Sequence, residues 1–366
     1  MSDYVPTIGL EIHAQLNPQT KMFCDSPNDP DENQPNTNIC PVCVGHPGTL
    51  PTINKEAVRQ VLRVGKALDG ELADFTEFDR KNYFYPDLPK GYQISQYEHP
   101  LVSGGELAGV KITRIHLEED TGNNVHKDGC SFVDYNRAGT PLMELVTEPV
   151  IESGKEAEMF ARELQLLLQT LEASEANLEK GEMRVEANLS LGETRRKEDR
   201  GTKVEVKNLN SFKAVRDAIA HETHRQDKLL QQGKEITQAT RGWDEDAQET
   251  FAQREKETSD DYRYFPDPDL PKLKISEVVD FADSKLEDGL PELPKEARQR
   301  LGNLGIDDDE VETLVSRVNL KQLFDDAYDH LDDPTDEHVR LLINYITTDL
   351  IGLQREHDRT HDLNGE

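Results

Sequence analysis

A carboxylate and an imidazole two residues apart open the chemistry of this chain: Glu11 and His13, within Ile8-Gly9-Leu10-Glu11-Ile12-His13-Ala14-Gln15-Leu16. The apolar residues alternate with Gly9, Glu11, His13 and Gln15, the period of a half-buried β-strand, so both groups share one face. Such a pair holds a cation, passes a proton or faces water, and alone it reads as a solvated strand face. Two later stretches shift that balance. Ile115-His116-Leu117-Glu118-Glu119-Asp120 closes an apolar strand with three consecutive carboxylates, which repel one another unless a cation sits between them. The alternation breaks at Arg114, so the sequence leaves open which of Glu118, Glu119 and Asp120 points inward. In Thr140-Pro141-Leu142-Met143-Glu144-Leu145-Val146, Glu144 is the one charge in a strand that reads as buried on both faces. A buried carboxylate needs a partner, an arginine or a metal. Three separated strands thus offer ligands to one hard, oxygen-preferring ion such as Mg²⁺.

A second group of residues suits phosphate. In a hairpin-like pair, Met183, Val185, Ala187, Leu189 and Leu191 alternate with Arg184, Glu186, Asn188 and Ser190, and Val204 and Val206 alternate with Lys203, Glu205 and Lys207. One polar face bearing Arg184, Glu186, Asn188, Lys203 and Lys207 would cradle a phosphate-bearing ligand; a cross-strand ion-pair ladder facing solvent is the plainer reading for each residue singly. Aromatics interleaved with Arg80, Lys81 and Lys90 suit phosphate or RNA-backbone contacts as well as they suit a structural loop. Cys40 and Cys43 have zinc-knuckle spacing and Cys24 offers a third ligand. The fourth is missing. Ser26 stands where a second upstream cysteine would complete two pairs, and His46 is the nearby substitute, so the trio speaks against zinc more than for it.

The elements that must position these groups are legible in outline. Asn54 caps a helix through Ala57, Val58, Val61, Leu62 and Leu68, and Ser153-Gly154-Lys155-Glu156 is a capping box opening a helix that buries Phe160, Leu164, Leu167 and Leu168. Asn208 to Phe212 leads into a long helix reaching about Gln232. Pro266, Pro268 and Pro271 mark the approach to a boundary near Ser284, beyond which the pattern is helical with acidic turns. The expectation is an α+β domain over 1–284 and a helical domain over 285–366. At 366 residues, 35% apolar, the chain reads as folded. Its net charge of −31, scattered rather than confined to a tail, resembles the surface of a protein from a high-salt cytoplasm. That charge repels nucleic acid globally, so an RNA partner must be met by a local basic patch or another domain. Neither a membrane-spanning run nor a signal-peptide shape is present, so a cytoplasmic setting with reduced cysteines is expected.

Five collinear motifs between about Thr7 and Asp269 resemble the GatB family, the B subunits of the glutamine-dependent aspartyl/glutamyl-tRNA amidotransferases: Gly9-Leu10-Glu11-Ile12-His13; Phe78-Asp79-Arg80-Lys81-Asn82-Tyr83-Phe84-Tyr85-Pro86-Asp87; His116-Leu117-Glu118-Glu119-Asp120; Lys207-Asn208-Leu209-Asn210-Ser211-Phe212; and Asp260-Asp261-Tyr262-Arg263-Tyr264-Phe265-Pro266. The resemblance implies a cradle-like antiparallel-sheet catalytic domain similar to glutamine synthetase, followed by an all-α domain. It implies ATP-dependent phosphorylation of the side-chain carboxylate of a misacylated Asp-tRNA(Asn) or Glu-tRNA(Gln). Ammonia channelled from the amidase (A) subunit then displaces the phosphate, and the small (C) subunit completes a heterotrimer. By motif, Glu11, His13, Glu119 and Glu144 hold Mg²⁺ and Lys81 lies at the ammonia outlet. Members usually extend well beyond position 366, so the tRNA-gripping tail is expected to be absent from this chain. Two other readings compete: a non-catalytic tRNA-binding or assembly role with a structural cation site, and the related GatE-type protein restricted to glutamyl-tRNA.

Overall fold

The computed structural model describes residues 4–29, 31–194, 196–255 and 262–353; the polar end from Arg355 and the acidic start of the last motif, Asp260-Asp261, lie outside them. The chain divides into two compact units, one drawn from Met1–Leu168 and Glu172–Gly289, the other from Gln169–Leu171 and Leu290–Glu366.

The first unit is built on a ten-stranded sheet. Its strands are β1 (Val5–Gln15), β2 (Glu71–Leu72), β3 (Val102–Ser103), β4 (Glu106–Leu107), β5 (Val110–Glu119), β6 (Pro141–Thr147), β7 (Met183–Gly192), β8 (Val204–Leu209), β9 (Ala239–Asp244) and β10 (Glu249–Glu255). They lie in the order β10-β9-β8-β7-β1-β6-β5-β3-β2, with β4 paired to β5. Pairing among these strands is antiparallel apart from β8 with β9. The N-terminal strand is thus central, hydrogen-bonded to β6 on one side and β7 on the other.

Alternation makes one face of this sheet oily. Ile8, Leu10, Ile12 and Ala14 of β1, Met183 to Leu191 in alternation on β7, and Val204 and Val206 of β8 are all buried. Helix α3 (Phe212–Gln231) packs on β7, β8 and β10 with Ala214, Val215, Ala218 and Ile219, and α1 (Lys55–Ala67) packs on β5, β3 and β2. Burying each large aliphatic side chain contributes about 2 kcal/mol. The caps read from the sequence are present: the Asn54 side chain accepts from the Glu56 and Ala57 amides, and Ser153 Oγ accepts from the Glu156 amide at 3.2 Å. Helix α2 (Gly154–Thr170) begins at a glycine because a Cβ there would run into the Arg216 carbonyl of α3.

A bulge in β5 decides which residues the other face receives. Arg114 opposes Val146 while Ile112 opposes Thr147, so Thr113 is an extra residue in the ladder. Before it, Val110 and Ile112 point to the oily side; after it the phase flips, and Ile115 and Leu117 take that side. This is the break in alternation seen at Arg114. It sends Arg114, His116 and Glu118 to the polar face and turns Glu119 away.

The second unit is helical, with helices at Pro294–Asn303, Asp308–Val315, Val318–Asp329 and Asp336–Asn344. Leu301, Leu314, Leu320 and Phe324 are among its buried side chains, and Glu292 is bound there by Arg300 and Lys321. No helix among the described residues is long and apolar enough to cross a membrane.

Candidate functional site

Strand register assembles the site. His13 on β1 lies opposite Glu144 on β6, Glu144 lies opposite His116 on β5, and on the far side of β1 His13 lies opposite Arg184 on β7. One row of the polar face therefore reads Arg184, His13, Glu144, His116. His13 Nε2 stands 3.3 Å from Glu144 Oε2 and 3.6 Å from Glu118 Oε1. His116 Nε2 stands 3.2 Å from the same Glu144 oxygen and 3.9 Å from Glu118 Oε2. The ligand atoms of Glu11, His13 and Glu144 lie within 4.8 Å of one another, as do those of His116, Glu118 and Glu144.

Buried carboxylates set the electrostatics of this cluster, and Arg114 brings a cation to its edge, Nη2 3.7 Å from Glu144 Oε1. Burial raises the pKa of Glu11, and neighbouring Glu144 adds to the rise. Burial alone would lower His13, yet its hydrogen bond to Glu144 and the charges of Glu144 and Glu118 push it up to about 9. Burial likewise opposes ionisation of Glu144, but His116 and His13 hold it well below the ordinary carboxylate value. A proton on His13 thus stands where a cation would, and that nitrogen must shed it before binding one. Three carboxylates with two imidazoles fit a divalent ion of the Mg²⁺ or Mn²⁺ kind.

Lys81 borders the cluster, its Nζ 4.9 Å above the Tyr262 ring. Burial opposes its charge, but Glu118, Tyr264 and Glu144 carry its pKa above the usual lysine value. Arg184 is held by Asp120, Nη2 to Oδ1 at 3.0 Å, and Asp120 also accepts from Gln15 Nε2 at 2.9 Å. Lys207 Nζ pairs with Glu186 at 2.8 Å. Of the residues expected to cradle phosphate, then, Arg184, Glu186 and Lys207 lie on the polar face already in ion pairs, whereas Lys203 is exposed ahead of β8.

One expected ligand lies elsewhere. Glu119, grouped with Glu11, His13 and Glu144 on the strength of the resemblance, faces the other side of the sheet. It binds Lys90 Nζ at 2.7 Å and accepts from the Ile94 amide at 3.0 Å. The physical reason is the bulge at Thr113, which gives the polar face to Glu118. The reading from sequence also passed over His116. A signal was present: His116-x-Glu118 repeats, in reverse, the spacing of Glu11-x-His13.

Cys24, Cys40 and Cys43 do gather, their sulfurs within 4.8 Å of one another. Ser26 Oγ lies 3.9 Å from Cys43 Sγ, and the buried Lys21 ammonium lies 3.9 Å from that sulfur while donating to the Asn38 and Tyr135 carbonyls at 2.7 and 3.2 Å. A hydrogen bond from Cys24 foremost, with help from the Cys40 amide and Lys21, brings the Cys43 thiol down to about 4. A thiolate here has its counter-charge in Lys21, and three sulfurs with a hydroxyl fall short of a closed four-thiolate zinc site.

The model of the GatB/GatE catalytic domain matches residues 6–280. The chain is similar to the B subunit of the aspartyl/glutamyl-tRNA(Asn/Gln) amidotransferase of Elusimicrobium minutum, 46% identical over 361 residues that cover 96% of this chain and 74% of that protein. It is 45% identical over 358 residues to the protein of the same name from Thermus thermophilus, with the same coverage. It is 44% identical over 363 residues to the B subunit of the chloroplastic/mitochondrial glutamyl-tRNA(Gln) amidotransferase of Ostreococcus lucimarinus, covering 94% and 71% of the two.

Proposed function

This chain belongs to the GatB/GatE catalytic-domain family, and from that premise we propose that it is the B-type member of an amidotransferase complex acting on misacylated tRNA. ATP phosphorylates the side-chain carboxylate of an aspartate on tRNA-Asn or a glutamate on tRNA-Gln, and ammonia displaces the phosphate. The observation that carries this reading is the convergence of Glu11, His13 and Glu144 in register across adjacent strands. A carboxylate must become an acyl phosphate before ammonia can replace its oxygen, and phosphoryl transfer asks for positioning and charge neutralisation more than for a nucleophile.

Glu11, His13 and Glu144, joined by His116 and Glu118 in place of Glu119, would hold Mg²⁺. The bound ion supplies charge neutralisation and orientation to the transferring phosphoryl group. The chain's own cations divide the remaining work. Arg184 and Lys207, fixed by Asp120 and Glu186, offer pre-set donors to anionic oxygens. Lys81 keeps its charge beside Glu118 and Glu144, which suits it to orient an incoming carboxylate. No arrangement fit to hydrolyse glutamine is recognised in the sequence, so ammonia comes from the amidase (A) partner, with the small (C) partner completing the complex. The matched relatives are named as B subunits, which favours this reading over a GatE-type protein. The net charge of −31 supports a high-salt cytoplasm as its setting.

The test is ATP- and glutamine-dependent conversion of each misacylated tRNA by the reconstituted heterotrimer. Glu144→Gln in an assembled complex is expected to keep tRNA binding and lose transamidation by about 10²-fold or more, since even outer partners of metal ligands carry 10- to 100-fold effects. Undiminished transamidation by that variant would make the non-catalytic assembly role the better account.

A further inference from the structure

The three gathered sulfurs take no part in the chemistry of the polar face. Cys43 is the one buried residue in the stretch 31–50, which is otherwise half-buried or exposed. Its sulfur is ringed by donors: the Cys24 thiol, the Cys40 amide at 3.1 Å and the Lys21 ammonium at 3.9 Å. Lys21 is fully buried and also donates to the Asn38 and Tyr135 carbonyls. An ammonium in that position favours a thiolate and repels a divalent ion, so the site does not fit the zinc whose ligand spacing Cys40 and Cys43 carry. Small reactants can reach the sulfurs. Cys24 and Cys43 line a cavity of about 220 Å³ that opens past the exposed His46, Pro47 and Gly48.

We propose that Cys24 and Cys43 are a peroxide-reactive thiol pair that closes to a disulfide and reopens on reduction. The Cys43 sulfur attacks one oxygen of hydrogen peroxide; an S–O bond forms as the O–O bond breaks, and the departing hydroxide takes a proton to become water. The Cys24 sulfur then attacks the Cys43 sulfur. An S–S bond forms, the S–O bond breaks, and the hydroxyl leaves with the Cys24 proton as a second water. Two thiols and one peroxide thus give one disulfide and two waters, each sulfur losing one electron to the peroxide oxygens. The sulfurs already lie within 4.8 Å of each other, and a bond of about 2.05 Å asks for a closure of less than about 3 Å, which the surface loop bearing Cys43 can make. Cys24 resolves the intermediate because its thiol points at the Cys43 sulfur. Closure removes the thiolate that balances Lys21, which favours the reduced form and makes the disulfide easy to reopen. Such a bond in a reducing compartment is transient.

The full chain, reduced and stripped of metal, is treated with hydrogen peroxide, quenched by alkylation and read for linked peptides by mass spectrometry. All four cysteines start free, so the exposed Cys130 serves as an internal reference. A Cys24–Cys43 link reversed by dithiothreitol is expected, forming about tenfold or more faster than Cys130 oxidises, since the thiolate is the reacting form. Cys24→Ser should abolish the link and leave Cys43 as a sulfenic acid captured by dimedone. Should that variant fail to fold by circular dichroism, dimedone present during oxidation of the unaltered chain captures the same intermediate and lowers the yield of the link. Sulfurs that react no faster than Cys130, a link through Cys40, or an adduct between Lys21 and Cys43 overturns the proposal. So does stoichiometric zinc in the chain before stripping that shields the sulfurs from peroxide.

Discussion

Glu118 and Glu119 are adjacent in sequence and face opposite sides of the sheet, one 3.6 Å from His13 Nε2 and the other 2.7 Å from Lys90 Nζ. Their neutral variants should therefore fail in different ways. Glu118→Gln is expected to weaken divalent-ion binding at least 10-fold with little change in stability. Glu119→Gln leaves Lys90 as a nearly buried, unpaired charge, and should destabilise the fold by about 3 kcal/mol while ion affinity holds. Urea denaturation and Mn²⁺ titration of the two variants side by side separate these outcomes; equal losses of affinity would contradict the assignment.

The metal-free chain should become less stable as the medium turns alkaline. His13, raised from 6.5 to about 9 by Glu144 and Glu118 against the effect of burial, is charged in the folded state where it is neutral in the unfolded one. Its contribution is complete below pH 6.5 and is lost as pH rises to about 9. In the same window ion affinity should rise, because cation and proton compete for one imidazole. Denaturation of chelator-treated protein across that range checks the first statement. His13→Asn should flatten the dependence, and an unchanged slope in that variant would refute the attribution.

Purified chain should carry less than one zinc per molecule, and Ser26→Cys should raise that to one. Ser26 is buried with its hydroxyl 3.9 Å from Cys43 Sγ, so the substitution adds a fourth sulfur at the rim of the existing trio. Elemental analysis after dialysis against a weak chelator provides the measurement. Stoichiometric zinc in the unaltered chain would mean that three sulfurs suffice and that Lys21 balances an anionic metal site.

In the helical unit, Glu292 is drawn down to about 2 chiefly by its hydrogen bond with Arg300, with Lys321 adding to it. A depressed carboxylate contributes stability above its unfolded value of 4.5, and that contribution fades as pH falls toward 2. Arg300→Ala should weaken the unit at neutral pH and shift its acid unfolding upward. Thermal melts from neutral to acid pH follow both effects.

Much of the scaffold was legible in the residues. The alternation of β1, the Asn54 and Ser153 caps and the apolar side of α2 are local properties, written in spacing of two or of three to four. The cluster was legible in part, because Glu11, His13 and Glu144 betray themselves by residue type within apolar strands. The choice between Glu118 and Glu119 was not. It turns on a bulge at Thr113, and a bulge is set by how β5 meets β6 rather than by the composition of either strand. The pairing of Lys207 with Glu186 belongs to the cross-strand ladder that the alternation of the two strands suggests, whereas that of Arg184 with Asp120 was hidden, because it joins segments whose separation in sequence carries no hint of adjacency.

The place of β1 between β6 and β7 has a consequence for biosynthesis. β1 leaves the ribosome with both its neighbours well over a hundred residues behind it, so it must wait, half oily and without them, while the intervening chain is translated. Closing loops of that length is slow, and an exposed edge in the meantime invites aggregation. The carboxylates and imidazoles meet only once β6 has emerged and found β1. An ion taken up at the proposed site would therefore seal the nascent sheet after its centre is zipped, with no means to guide the chain there earlier.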